Sequence, residues 1–142
     1  MSESVAVSPV RVAVIQFDPQ VGTDNCLSNL EMSLELAAQA VENGANLIVL
    51  PELANTGYLF ANRQDAFNHA ESIADGPSVQ AWTRFAQEYE VYLAAGLVEQ
   101  DDMQLFDTAV LLGPDGYIGK YRKAHLWNQE KLWFTPGDIG FP

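Results

Sequence analysis

Glu52 and Lys123 are the side chains whose placement along the sequence offers chemistry. Glu52 follows the apolar run 47–50 after one proline, and in open α/β sheets ligand sites gather at the carboxyl ends of such strands. An apolar strand partly desolvates a carboxylate held there and raises its pKa, whereas a nearby ammonium lowers it. A Glu and Lys pair can thus be balanced to accept and return a proton near neutral pH. Lys123 ends the strand-like segment 117–121 and its short extension, where a fixed ammonium could stabilise the oxyanion formed when a nucleophile attacks a carbonyl or nitrile carbon. Each residue also has a plain structural reading. A strand-end Glu can cap a turn or join a surface ion pair, and a strand-end Lys can guard a sheet edge.

The other reactive side chains are less well placed. Cys26 is the single cysteine, which excludes an internal disulfide framework and fits a reducing compartment. It falls in the first turn of a predicted helix, where a low-pKa thiolate is physically possible, but the favoured reading is a small, half-buried packing residue. With His69 and His125 it invites a Cys–His dyad, yet no motif orients the three together. His125 lies two residues after Lys123, on the same face of an extended path, and a backbone hydrogen bond in the loop is its expected use. Trp127, Trp133 and Phe134 could line a pocket, although packing or an interface suits them better. No metal-ligand cluster, P-loop or dinucleotide-binding glycine pattern is read.

These residues need strands and helices to position them. Residues 11–17, rich in β-branched side chains, read as a buried strand stopped by Asp18-Pro19 and Gly22. Leu27, Leu30, Leu34, Ala37 and Val41 recur at steps of three and four, one stripe of a helix that Asp24 or Asn25 would cap and Asn43-Gly44 would close. Residues 46–50 lack polar alternation, as expected of a parallel strand covered on both faces. Strand, helix and strand make a βαβ unit. A loop over 55–60 and a short helix over 64–73 come next. Asp75-Gly76-Pro77-Ser78 then starts a helix whose apolar face is Val79, Trp82, Phe85, Ala86 and Tyr89. A strand over 91–98, an acidic turn over 99–102, a strand over 108–112, the turn Gly113-Pro114-Asp115-Gly116 and a hairpin strand over 117–121 complete the pattern. From Lys123 onward the chain reads as an aromatic loop.

Composition sets the outer limits. The 142 residues are 48% hydrophobic and 18% charged, enough for one globular core and unlike a disordered or low-complexity chain. A formal charge of −12 argues against nucleic acid and anionic lipid as partners. The one basic cluster, Lys120, Arg122 and Lys123 with Lys131 nearby, reads as a solvated edge. Residues 1–9 are expected to be flexible, and they show neither the basic nor the apolar region of a signal peptide. No apolar run is long enough to span a bilayer.

Four strings occur in register: LIVLPEL at 47–53, DTAVLLGPDG at 107–116, GKYRKAHL at 119–126 and EKLWFTPGD at 130–138. Their order and spacing resemble the nitrilase superfamily of carbon–nitrogen hydrolases. The resemblance implies that residues 1–142 are the first half of an α/β domain, an αββα sandwich built here from βαβ units and a hairpin. It matches Glu52 to the general base, Lys123 to the catalytic lysine and Glu130 to a second glutamate that helps position the site. The family nucleophile is a cysteine on a later strand-to-helix elbow, which would lie beyond Pro142. The implied whole protein is a cytoplasmic, oligomeric hydrolase of small amides or nitriles that needs no cofactor. Asp107 departs from the asparagine that relatives often carry, which bears on the local hydrogen bonding of its strand.

Overall fold

The computed structural model describes residues 9–141; the expectation of a flexible start therefore lies outside the described residues except at Pro9. Element order is β1 (Val12–Val14), α1 (Cys26–Glu42), β2 (Leu47–Val49), α2 (Arg63–His69), α3 (Pro77–Glu88), β3 (Tyr92–Asp101), β4 (Gln104–Gly113), β5 (Gly116–Arg122) and α4 (Glu130–Trp133). The strands form one sheet in the order β1-β2-β3-β4-β5. β1, β2 and β3 are parallel, and β3, β4 and β5 are antiparallel. The expected βαβ unit and hairpin are both present.

Helices α1 and α3 cover one face of this sheet. Ile48, Leu93, Ala95, Leu97, Val110 and Leu112 pack there with Leu30, Ala37, Val79, Trp82, Phe85 and Ala86. Trp82 is fully buried, and its indole N–H donates to Ser33 Oγ at 2.9 Å, joining the two helices. The buried line of α1 is Asn29, Leu30, Ser33 and Ala37, with Leu34 and Val41 half-buried beside it. Leu27 is 65% exposed, contrary to its place in the predicted stripe, because the helix meets the sheet one turn later. Asn25 precedes α1 without capping it, and its side-chain amide donates to Val21 O instead.

The opposite face is covered at Val98 and Leu105 by a second apolar cluster and is open across β1, β2 and the adjoining parts of β3 and β4. Val12, Val14, Tyr92 and Leu111 are exposed on it, and Val49 and Ala94 are half-buried. Register places Val14, Val49, Ala94 and Leu111 in one apolar row across four strands. The expectation that β2 is covered on both faces is therefore corrected: Ile48 is buried and its two neighbours are not.

Several boundaries also differ: β4 begins at Gln104, before its expected start at Thr108, and the segment after Lys123 contains the short helix α4. β1 spans three residues of the expected seven, although the Ile15 N–H extends its pairing to Val49 O. α2 ends at His69, after which Glu71 pairs as an isolated bridge with Glu99. The acidic segment 99–102 is not a turn as a whole, since β3 continues to Asp101. Glu99 is 1% exposed. Burial would raise its pKa, but Arg122, Lys120 and the Thr108 hydroxyl all bond to it and hold it below the ordinary carboxylate range. Arg122 is buried as well, lies over the Phe106 ring at 3.8 Å, and also pairs with Asp101 and Asp138. Lys120 and Arg122 of the basic cluster thus belong to an ion-pair network across β3, β4 and β5 rather than to a solvated edge, whereas Lys131 is exposed.

Candidate active site

The backbone carrying Glu52 is held against β3 beyond the end of β2. Leu50 N–H donates to Ala94 O, Gly96 N–H to Pro51 O, and Ala54 N–H to Gly96 O. Gly96 permits this approach, because a Cβ there would lie 2.7 Å from both Glu52 Cα and Leu53 N. Leu53 then takes a positive φ of 48° and sends the chain into a buried loop. Asn55 anchors that loop: its side-chain amide donates to Glu71 and Ser78, each at 2.9 Å. A second apolar cluster of Leu53, Phe60, Ala66, Val98, Leu105, Trp133 and Phe134 fastens the loop to α4. Trp133 and Phe134 are consequently packing residues, and Trp127 is exposed.

Lys123 follows β5. Its N–H donates to Asp107 O at 2.8 Å, and its carbonyl accepts from Gly137 N–H at 2.9 Å. A one-residue register shift between Leu111 and Leu112 fixes which residue faces Asp107. Counted back from the Gly113–Gly116 turn without a bulge, Asp107 would oppose Arg122. With the bulge it opposes Lys123, because one extra residue moves every later side chain to the other face.

Four ionisable groups meet where these segments converge. Lys123 Nζ lies 2.6 Å from Glu52 Oε1, 2.8 Å from Glu130 Oε1 and 3.6 Å from Asp107 Oδ2. Glu130, at the start of α4, is fully buried and also accepts from the Tyr58 hydroxyl and from Trp127 N–H. Burial would raise its pKa, yet the bonds from Lys123, Tyr58 and Trp127 hold it below the ordinary range. Burial likewise works against the Lys123 ammonium, but Glu130 and Glu52 keep it firmly protonated. Burial raises the Tyr58 phenol, reinforced by its bond to Glu130. A cleft of about 340 Å³ opens beside the cluster on the uncovered sheet face, lined by Val49, Glu52, Gly96, Asp107, Tyr121 and Lys123.

The structure therefore brings Glu52, Lys123 and Glu130 together. It also adds Asp107 and Tyr58, which the sequence did not single out for chemistry. Oxygens of Glu52, Asp107 and Glu130 lie within 4.8 Å of one another, an arrangement with the ligand types of a cation site. The Lys123 ammonium already occupies their shared centre. Cys26, at the start of α1, is half-buried, and burial together with the Glu71 carboxylate pushes its thiol pKa up. That shift opposes the thiolate considered for it. His69 is buried in α2 with Nδ1 2.6 Å from Asp65 O and its ring edge-on to Phe60, while His125 is exposed. Neither imidazole belongs to the cluster.

Residues 11–141 match the family model for carbon-nitrogen hydrolase. The chain is 42% identical over 132 residues to the nitrilase of Pyrococcus abyssi, covering 93% of this chain and 50% of that protein. It is 32% identical to the N-carbamoylputrescine amidase of Oryza sativa, covering 96% of this chain and 46% of the relative. Among solved structures, an amidase from Nesterenkonia sp. superposes with a TM-score of 0.77 at 25% identity, covering 96% of this chain and 52% of that one. The chain belongs to the carbon–nitrogen hydrolase family and has the nitrilase-type α/β fold. It spans about half the length of the curated nitrilase, citrullinase and N-carbamoylputrescine amidase relatives that it matches.

Proposed function

We propose that residues 9–141 supply the acid–base half of a thiol-dependent amidase. The supporting observation is the Lys123 ammonium held between Glu52 and Glu130, beside an open cleft. Glu52 takes the proton of a cysteine thiol contributed by chain beyond residue 142, and the thiolate attacks the carbonyl carbon of a small amide. Lys123 faces the oxyanion that forms. Collapse of the tetrahedral species breaks the C–N bond, and Glu52 returns the proton so that ammonia departs and a thioester remains. Glu52 then removes a proton from water, whose oxygen attacks the thioester, and the acid and free thiol are released. Glu130 and Tyr58 set the position of Lys123. A nitrile or an N-carbamoyl amine is the alternative substrate.

The apolar row on the uncovered face supports the reading that this chain is the N-terminal half of an αββα sandwich and is inactive alone. Ammonia release from short aliphatic amides tests both parts. The 142-residue chain by itself is expected to release none. Release that is abolished by Glu52→Gln in that chain would overturn the incomplete-site reading.

A further inference from the structure

Asp107 is the ionisable group of the cluster that the proposed chemistry leaves without a task. Its side chain is almost completely buried, and its Oδ2 has no hydrogen-bond partner. Lys123 lies 3.6 Å away and makes its close contacts to Glu52 and Glu130. Three ionised carboxylates around one ammonium would leave two uncompensated negative charges in a partly desolvated pocket, with oxygens no more than 4.8 Å apart. Like charges this close are not all retained.

One proton cuts the excess from two negative charges to one and gives the orphaned oxygen a hydrogen to donate. Glu130 is a poor place for it, because Tyr58, Trp127 N–H and Lys123 all donate to its oxygens. Glu52 is in direct contact with the ammonium and is the more exposed of the pair. The Asp107 Oδ2 has neither a donor nor access to water. The groups that face it are Glu52 from the loop after β2, Lys123 after β5 and Glu130 from α4, with Tyr58 behind Glu130. From β3 its register partner is the neutral Val98.

We propose that Asp107 is protonated at neutral pH and is a positioning residue, its carboxyl O–H donating to the Glu52 carboxylate and holding that group toward Lys123. Burial first, and the Glu52 carboxylate second, push the Asp107 pKa up to about 8 against the opposing pull of Lys123. Its catalytic meaning rests on the reading of Glu52 as the base; the protonation itself is measurable without turnover.

The test is a residue-assigned carboxyl-carbon NMR titration of the 142-residue chain, with Asp107→Asn and Asp107→Leu compared. In the wild-type chain the Asp107 carbon is expected to remain in its protonated position through neutrality and to shift near pH 8. Asp107→Asn should remove that step, yet keep the Glu52 signal in place at neutral pH because an amide N–H still donates. Asp107→Leu, lacking a donor, should displace it. Titration of Asp107 in the ordinary aspartate range, or survival of the high step in Asp107→Asn, would overturn the protonation. An undisturbed Glu52 signal in Asp107→Leu would overturn the positioning role. The wild-type titration decides the first point even if neither variant folds. Absence of amide hydrolysis in a longer chain would count against the base assignment and would leave this result standing.

Discussion

Lys123 is the residue on which the candidate site turns, because its one charge is divided among Glu52, Glu130 and, at longer range, Asp107. In a form of the protein that also carries the nucleophile, Lys123→Ala is expected to lower kcat by about 10²–10³, the scale of losing one oxyanion-stabilising group, while the chain still folds. Near-normal turnover in steady-state ammonia assays would refute the assignment. The raised pKa of Asp107 has a separate consequence for stability. The unfolded chain ionises this group near the ordinary aspartate value of 3.8 and the folded chain near 8. Between those values the unfolded state has lost a proton that the folded state keeps, so stability falls as pH rises. Asp107→Asn has no such proton to lose. Its melting temperature, relative to wild type, should therefore increase steadily from pH 5 to pH 8; a difference independent of pH would contradict the shift.

At the scale of elements, the site depends on two close backbone approaches and on a buried ion-pair network. Gly96→Ala would place a methyl group 2.7 Å from Glu52 Cα and Leu53 N. Both are backbone atoms that cannot rotate away, so a loss of about 1–3 kcal/mol is expected in chemical denaturation, as for overpacked sites, together with displacement of Glu52. Arg122→Ala would leave Glu99 buried with Lys120 and Thr108 as its remaining partners, and removal of one member of a buried pair costs about 3–5 kcal/mol. A denaturant midpoint unchanged in Arg122→Ala would mean that the network is not structural. Much of this level could be read from residue patterns: the periodicity around Leu30 and Ala37, the turn at Gly113–Gly116 and the continuous apolar run before Glu52 each specify an element. The bulge could not. Its single extra residue brings Asp107 opposite Lys123 instead of Arg122, and hydrophobic alternation carries no mark of it. For the same reason Glu99 read as part of an acidic turn, since the cations that permit its burial come from a strand about twenty residues later and are visible only once register is known. Tyr58 was equally hidden, because a loop residue has no period.

At the scale of the whole molecule, the sheet has one face packed by α1 and α3, and its other face is open and apolar across β1, β2 and the adjoining parts of β3 and β4. Exposed apolar rows of this kind mark surfaces that need a partner. The formal charge of −12 opposes indiscriminate association, so the prediction is specific to the row: the 142-residue chain should self-associate in sedimentation velocity, and Val14→Lys with Leu111→Lys should shift it to monomer. A wild-type chain that stays monomeric at high concentration would show that the face tolerates water. The cleft beside Glu52 and Lys123 opens on this same face, so whatever covers the row also encloses the cluster. Residue chemistry, element placement and the open layer thus bear on one claim, that these residues are the acid–base part of an amide-hydrolysing site completed by further chain. Its most direct measurement is ammonia release from short aliphatic amides by this chain produced with the residues that follow it in its reading frame, compared with Glu52→Gln in the same form. The account predicts turnover in the extended wild type and its loss by at least about 10²-fold in the variant; equal rates in the two, or no turnover in a folded extended form bearing a cysteine beside Lys123, would contradict it.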